Sequence, residues 1–326
     1  MGRPEIAVYP GAAKSLLREA VHAPDIHGKS GLDGTDLLPT PLVGAMAEDA
    51  VDAMAKALLS TPKDSAWLIA SGACTNVALL FSKHPHVATH IKGLSIMGGA
   101  IGDAFTSAPM GKVSGASSTR IGNWSEWAEF NILVDPEAAD AIFQNPDINK
   151  KIILIPLDVT HLVLATPDVL ELLSWGTTPT EKGEAKAKTT LRIMLVELLT
   201  FFADRYASHF GITAGPPLHD PLAVAAIFDG IPGIEIPFRD FVEDEIMSTG
   251  VEGTAGHKER YSVSVVTEGS HEDAQKGAQT GRTIVRLLDE GEEGVKIPRG
   301  LDVGRFWTVL EETLQRADDV ISTQAA

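Results

Sequence analysis

The run Ala66-Trp67-Leu68-Ile69-Ala70-Ser71-Gly72-Ala73-Cys74-Thr75-Asn76-Val77-Ala78 decides how this chain is read. Ala66–Ala70 is a short apolar run suited to a buried strand. Ser71-Gly72-Ala73 supplies a tight turn, and a helical pattern follows over 75–83. Strand, small-residue turn and helix in that order form the repeating unit of an α/β sheet. Small residues in the turn let backbone approach a ligand at the carboxyl end of the strand, where open α/β sheets bind their ligands. The same letters also suit a plain βα turn, so the flanking segments must carry the rest.

Working outward, Leu94–Met97 followed by Gly98-Gly99-Ala100 repeats the arrangement. Further apolar runs that predict strands are Glu5–Tyr9, Glu129–Val134, Ile152–Leu157 and Tyr261–Val266. Periodicity and breakers predict helices at roughly 41–60, 75–83, 136–144, 167–174, 184–209, 221–229, 271–290 and 304–320. Asp135-Pro136, Thr166-Pro167 and Asp220-Pro221 each place a capping residue before a proline at the first helical position. The alternation predicts a sheet with helices on both faces. Asp103–Arg120, rich in Gly, Ser and Ala, reads as a long, mobile surface loop. There is no fixed-period repeat and no boundary sharp enough to split two domains.

Composition excludes several classes of function. A hydrophobic content of 44% with 22% charged residues allows a large core. The formal net charge of −17 argues against a nucleic-acid backbone or an anionic membrane as partner. One cysteine, Cys74, rules out an intrachain disulfide and fits a reducing compartment. No apolar run approaches a membrane span, and Met1–Ile6 holds no signal-peptide core, so cytoplasm is the expected location, with the nucleus as the alternative.

Four segments carry polar residues fit for chemistry. In Pro217-Leu218-His219-Asp220-Pro221, Asp220 is either an N-cap or a ligand for a hard cation, and His219 either a loop residue or a proton donor. Glu129 and Asn131, two apart on a segment read as extended, share one face and could grip a polyol, or form a polar edge. Trp124 and Trp127 beside them read as packing or pocket wall. The loop His22–Gly34, with His27 among its glycines, suits binding or any polar turn. Ser71 opens the turn that follows the deciding strand.

Taken in order, Tyr9-Pro10-Gly11, His27-Gly28-x-Ser30-Gly31-Leu32-x-Gly34, Gly72-x-x-Thr75-Asn76, Met97-Gly98-Gly99, Asn123 to Asn131, Pro156-Leu157-Asp158-Val159-Thr160-His161 and Pro217-x-His219-Asp220-Pro221 resemble the inosine–uridine-preferring nucleoside hydrolase family. The likeness runs from about residue 2 to the C-terminus, and the Asp103–Arg120 loop resembles an insertion of fungal members. It implies hydrolysis of the N-glycosidic bond of a ribonucleoside to ribose and free base. It also implies one Ca²⁺ that holds the ribose hydroxyls and the attacking water. By position, Asp220 matches a carboxylate ligand of calcium and Ser71 a backbone-carbonyl ligand. Asn123, Glu129 and Asn131 match residues that hold the ribose. His219 matches the acid proposed for purine leaving groups, and His27 a histidine near the base or the 5′ end. The resemblance allows a homo-dimer or homo-tetramer.

The family opens with Asp-x-Asp-Pro-Gly-x-Asp-Asp at the end of its first strand, and no stretch here matches it. Glu48-Asp49-x-x-Asp52 and Asp33-x-x-Asp36 lack the required strand before them. The expectation is therefore a single domain over residues 1–326. Its fold would be α/β, a Rossmann-like, mostly parallel sheet flanked by helices, with the first βαβ unit missing. Calcium would keep too few oxygen ligands for tight binding. Such a chain would be a weak or inactive hydrolase; the alternative is a non-catalytic protein that binds a nucleoside or a protein partner.

Overall fold

A computed structural model describes residues 3–111, 120–177, 187–240 and 259–325. Its centre is a parallel sheet of three strands in the order β1 (Trp67–Ala70), β2 (Gly93–Met97) and β3 (Ile152–Ile155). Leu68 pairs with Leu94, and Leu94 with Ile152, so the three strands run in register and end together. All of β2 and β3 is buried, while most of β1 at the sheet edge is half-buried. Continuous apolar runs suit strands covered on both faces.

The two faces separate by alternation. Leu94, Ile96, Ile152 and Leu154 join one core with the helices Ala50–Leu59, Thr75–Lys83 and Pro136–Phe143. Ile153 and Ile155 face the opposite core, with Leu222 and Ala225 from the helix Asp220–Ala225 and Phe306 and Trp307 from the helix Val303–Ala325. On that face the Ser95 hydroxyl donates to the Ala223 carbonyl at 2.7 Å, tying the sheet to the helix that carries Asp220.

Several expectations are corrected. Glu5–Tyr9 is not a strand; Ile6 and Val8 are exposed, and although the Val8 carbonyl accepts from the Met46 N–H at 2.8 Å, no ladder extends from that bond among the described residues. Residues 41–49 are not helical: Pro41 and Gly44 break the pattern, and the helix starts at Ala50 with Asp49 capping Asp52 N–H. Glu129–Val134 is not extended but forms the short helix Phe130–Val134, with Glu129 as its cap. The expected helix 271–290 stops at Gln275. Glycines at 277 and 281 hold positive φ, and Thr283–Leu287, rich in β-branched residues, pairs antiparallel with Tyr261–Val265. The helix read as 184–209 runs Thr190–Phe210 and ends on Gly211 in the left-handed conformation; residues 184–186 lie outside the described residues. Residues 112–119 of the Asp103–Arg120 loop also lie outside them. Among the described residues, no helix is long and apolar enough to cross a membrane.

One buried ionic cluster joins three helices. Arg192, fully buried, donates to Glu311 at 2.7 Å, to Asp318 at 2.7 Å and to the Leu173 carbonyl at 2.7 Å. Removing the guanidinium strands two carboxylates in the interior, and breaking a buried pair that way costs about 3–5 kcal/mol. Urea unfolding of Arg192→Leu is expected to show a loss of that size; an unchanged midpoint would exclude this role.

Candidate active site

The carboxyl ends of β1 and β2 converge on a cavity of about 290 Å³. Ser71 directly follows β1, and Met97 is the last residue of β2. His219, Asp220 and Pro221 come from the start of the helix Asp220–Ala225, which lies across the sheet. Asn123, Trp124, Glu129, Phe130 and Asn131 close one side, and His27 comes from the short helix Pro24–His27. All seven residues singled out from the sequence therefore line one cavity: Ser71, His27, Asn123, Glu129, Asn131, His219 and Asp220. The position, outside the carboxyl ends of parallel strands, is where this class of sheet binds ligands.

Glu129 forms the floor. Its carboxylate accepts from the backbone N–H of Gly99 at 2.9 Å, Asn131 at 2.9 Å and Ile132 at 3.0 Å. A Cβ at Gly98 would lie 3.2 Å from Ile132 Cδ1 and 3.3 Å from Glu129 Oε2, so glycine gives β2 room to approach this carboxylate closely. Glu129 and Asn131 share a cavity not because they alternate on a strand but because the first caps the helix that the second begins. Burial pushes the Glu129 carboxyl from its ordinary 4.5 up to about 7, against the pull of the three N–H groups, and the Asp220 charge adds to the rise.

Asp220 is not an N-cap. His219 holds that position without a side-chain cap bond, and Asp220 is the first helical residue, its side chain open to the cavity. The surrounding protein raises its pKa by desolvation, and no cation offsets that rise among the described residues. The Ser71 carbonyl lies 3.4 Å from Asn131 Nδ2, which also donates to the Met97 carbonyl at 3.2 Å. The two acidic stretches weighed as substitutes are engaged elsewhere. Asp52 accepts from Lys83 and His84 at the surface, and Asp33 binds the backbone of its own loop.

Aromatic rings continue the wall from Trp124 and Phe130 to His27 and Phe202. His27 packs against Phe202 at 5.7 Å and Phe130 at 6.4 Å between ring centroids, and Trp124 packs on Phe130 at 5.0 Å. Burial lowers the His27 pKa. His219 lies between two hydroxyls: Nε2 is 2.5 Å from Tyr206 Oη and Nδ1 is 2.8 Å from Thr160 Oγ1. Desolvation, with His161 and His27 nearby, pushes the His219 pKa well down. His161, whose Nδ1 is 2.7 Å from the Pro109 carbonyl, is held down to about 4 by burial. Tyr206, Phe202 and Thr160 were not singled out from the sequence. Leu199, Phe202, Tyr206 and Phe210 recur every three or four residues on one helix face, and that stripe was the available signal.

The family model described as inosine-uridine preferring nucleoside hydrolase matches residues 1–308. The chain belongs to this family. The uridine nucleosidase of Saccharomyces cerevisiae is 32% identical over 325 residues, covering 98% of this chain and 81% of that protein. The pyrimidine-specific ribonucleoside hydrolase RihA of Salmonella schwarzengrund is 35% identical over 224 residues, 68% of this chain and 61% of that protein. Among solved structures, a purine-preferring ribonucleoside hydrolase from Gardnerella vaginalis superposes with a TM-score of 0.67 at 24% identity, covering 95% of this chain and 80% of that one. A plant nucleoside hydrolase superposes with a TM-score of 0.68 at 23% identity, covering 95% and 81%. The nucleoside hydrolase fold is thus shared, as the α/β sheet flanked by helices implied.

The raised pKa of Glu129 makes a prediction with a definite sign. The folded chain holds the Glu129 proton more tightly than the unfolded chain does. The stabilisation this gives is complete below about 4.5 and is lost as pH rises through about 7. Between about pH 5 and about pH 8, wild type is expected to lose roughly 2–3 kcal/mol relative to Glu129→Gln in urea unfolding. Parallel stability curves for the two proteins would contradict it.

Proposed function

We propose that residues 1–326 form one nucleoside hydrolase domain whose cavity takes a ribonucleoside. The observation that supports this most is the convergence of Asn123, Glu129, Asn131 and Asp220 with a cluster of aromatic rings in a single cavity at the carboxyl ends of parallel strands. Ribose hydroxyls would lie against the polar side, and the base against Phe202, Trp124 and His27. No Lys or Arg lines the cavity among the described residues, which suits a neutral nucleoside better than a phosphorylated one. In the reaction, water oxygen bonds to C1′ and loses a proton, the C1′–N bond breaks, and the base nitrogen takes up a proton. The aromatic wall would orient the base and exclude water from it.

Calcium is the metal that the family implies, and the residues present do not make a cage for it. Asp220 and the Ser71 carbonyl supply two oxygens, against about six to eight for this ion. Among the described residues, no group of three or more His, Cys, Asp or Glu side chains could hold a metal. No step is therefore assigned to a metal. The 326 residues are proposed to be weakly active or inactive in hydrolysis while retaining the binding cavity. A non-catalytic nucleoside-binding protein is the second reading, favoured by a His219 held toward the neutral form and by the small oxygen set that Asp220 and Ser71 offer.

The relatives of highest identity above are named for uridine and pyrimidine nucleosides, so uridine is the first substrate to test and inosine the second. Base release by the purified chain, with added calcium and with chelator, is expected to run at least about a hundredfold slower than by the yeast uridine nucleosidase in parallel. Chelator-sensitive turnover at a comparable rate would overturn the proposal of weak activity. Failure of calorimetry to detect binding of either nucleoside at millimolar concentration would overturn the nucleoside reading.

A further inference from the structure

We propose that Thr160 is a positioning residue that locks the His219 imidazole in its Nδ1–H tautomer, leaving Nε2 bare toward Tyr206. The inference deepens the reading of the cavity as a nucleoside site, and its consequence for the reaction rests on that reading. The hydrogen-bond directions do not.

The directions follow from two backbone groups whose roles are fixed. At one end, the Phe130 N–H can only donate, and it does so to Asn123 Oδ1 at 2.9 Å. That fixes the Asn123 amide, so Nδ2 is the group it turns toward Tyr206, and a donor there faces the hydroxyl oxygen rather than its proton. The Tyr206 proton is then free to point along its 2.5 Å contact to His219 Nε2. At the other end, the Leu157 carbonyl can only accept, and the Thr160 hydroxyl donates to it at 3.3 Å. With its one proton committed there, Thr160 Oγ1 meets His219 Nδ1 at 2.8 Å as an acceptor. Read from either end, the chain of bonds reaches the same assignment. Nδ1 carries the proton and Nε2 carries the lone pair. A neutral ring has one N–H, so the arrangement is complete without an unsatisfied group. Thr160 is fully buried at the end of the helix Leu157–Thr160, so its hydroxyl is closed to bulk solvent.

The consequence concerns the role that the resemblance gives His219. An acid acting on a leaving base from Nε2 needs its proton on that nitrogen. In this tautomer a ligand at Nε2 meets a lone pair, and the nearest transferable proton belongs to Tyr206. His219 must take up a proton at Nε2 before it can give one there. Thr160 touches no ligand and acts only through the ring.

Long-range proton–nitrogen correlation spectra of the ¹⁵N-histidine-labelled full chain read the tautomer directly, with no need for turnover. Wild-type His219 is expected to show a protonated Nδ1 and a bare Nε2. His161, whose Nδ1 must donate to the Pro109 carbonyl, supplies the same pattern as an internal standard. Thr160→Val keeps the shape and removes the acceptor. The ratio of Nε2–H to Nδ1–H in His219 is expected to rise about tenfold, the equivalent of one hydrogen bond, with His161 unchanged. Uridine affinity should fall by about the same factor. Thr160→Ser, which keeps the hydroxyl, should restore both. A wild-type His219 in the Nε2–H form overturns the proposal whether or not the valine variant folds. An unchanged ratio in a folded Thr160→Val chain overturns it as well. Failure of wild type to bind uridine or inosine would instead count against the nucleoside reading, and the spectra would still decide the tautomer.

Discussion

The cavity depends on one buried carboxylate. Glu129 gathers three backbone N–H groups from two places, the Gly98-Gly99 turn after β2 and the first turn of the helix Phe130–Val134. Those donors would otherwise be orphaned at a helix start and at a strand end, each in the interior. By closing both, Glu129 sets the distance between β2 and the segment that carries Asn123, Trp124, Phe130 and Asn131. The same bonds hold Asn131 where its amide reaches the carbonyls of Met97 and Ser71. A carboxylate in that position is under opposing demands. Burial and Asp220 favour its proton, while three donors favour its charge, and burial wins.

The electrostatic character of the site follows from that balance. Two acidic groups, Glu129 and Asp220, both sit above their ordinary range, and His27, His161 and His219 are all pushed toward the neutral form. A cavity of this kind offers hydrogen-bond acceptors, amides and rings but no fixed positive charge. It fits a ligand that brings hydroxyl donors and an uncharged flat ring, and it penalises one that brings a phosphate. The strongly negative chain around it works in the same direction.

The sheet and the location of the site were legible in the sequence because both rest on local patterns. Apolar runs followed by small-residue turns mark β1 and β2, and proline after Asp135 and Thr166 marks helix starts. What was not legible came from groups distant in sequence. Glu129–Val134 has strand letters, yet its first residue finds a better use capping a helix against Gly99, thirty positions away. Residues 283–287 look like the end of a helix until Tyr261–Val265 supplies a partner strand. Glu5–Tyr9 has strand letters but a single backbone bond, from Met46, and no ladder among the described residues. Pattern reports what a segment can do, and pairing decides what it does. Tyr206 and Thr160 were missed for a related reason: one belongs to an aromatic stripe that resembles core, the other to a buried helix turn. Only the fold brings both against His219.

The start of the helix Asp220–Ala225 shows how little separates a structural from a chemical role. With aspartate directly before proline, the sequence suits an N-cap. The chain instead places His219 at the cap and Asp220 one step inside. A capping aspartate would turn its oxygens back onto the helix N–H groups and be spent. Moved one residue on, into the first turn itself, it no longer reaches back to those N–H groups and faces the cavity. The same step lets His219 swing its ring away from the helix toward Thr160 and Tyr206. Proline alone does not decide this, because Asp135 also precedes a proline and still caps the Ala138 N–H. The shift of the cap to His219 is what leaves a carboxylate available for ribose or a cation at the carboxyl end of the sheet.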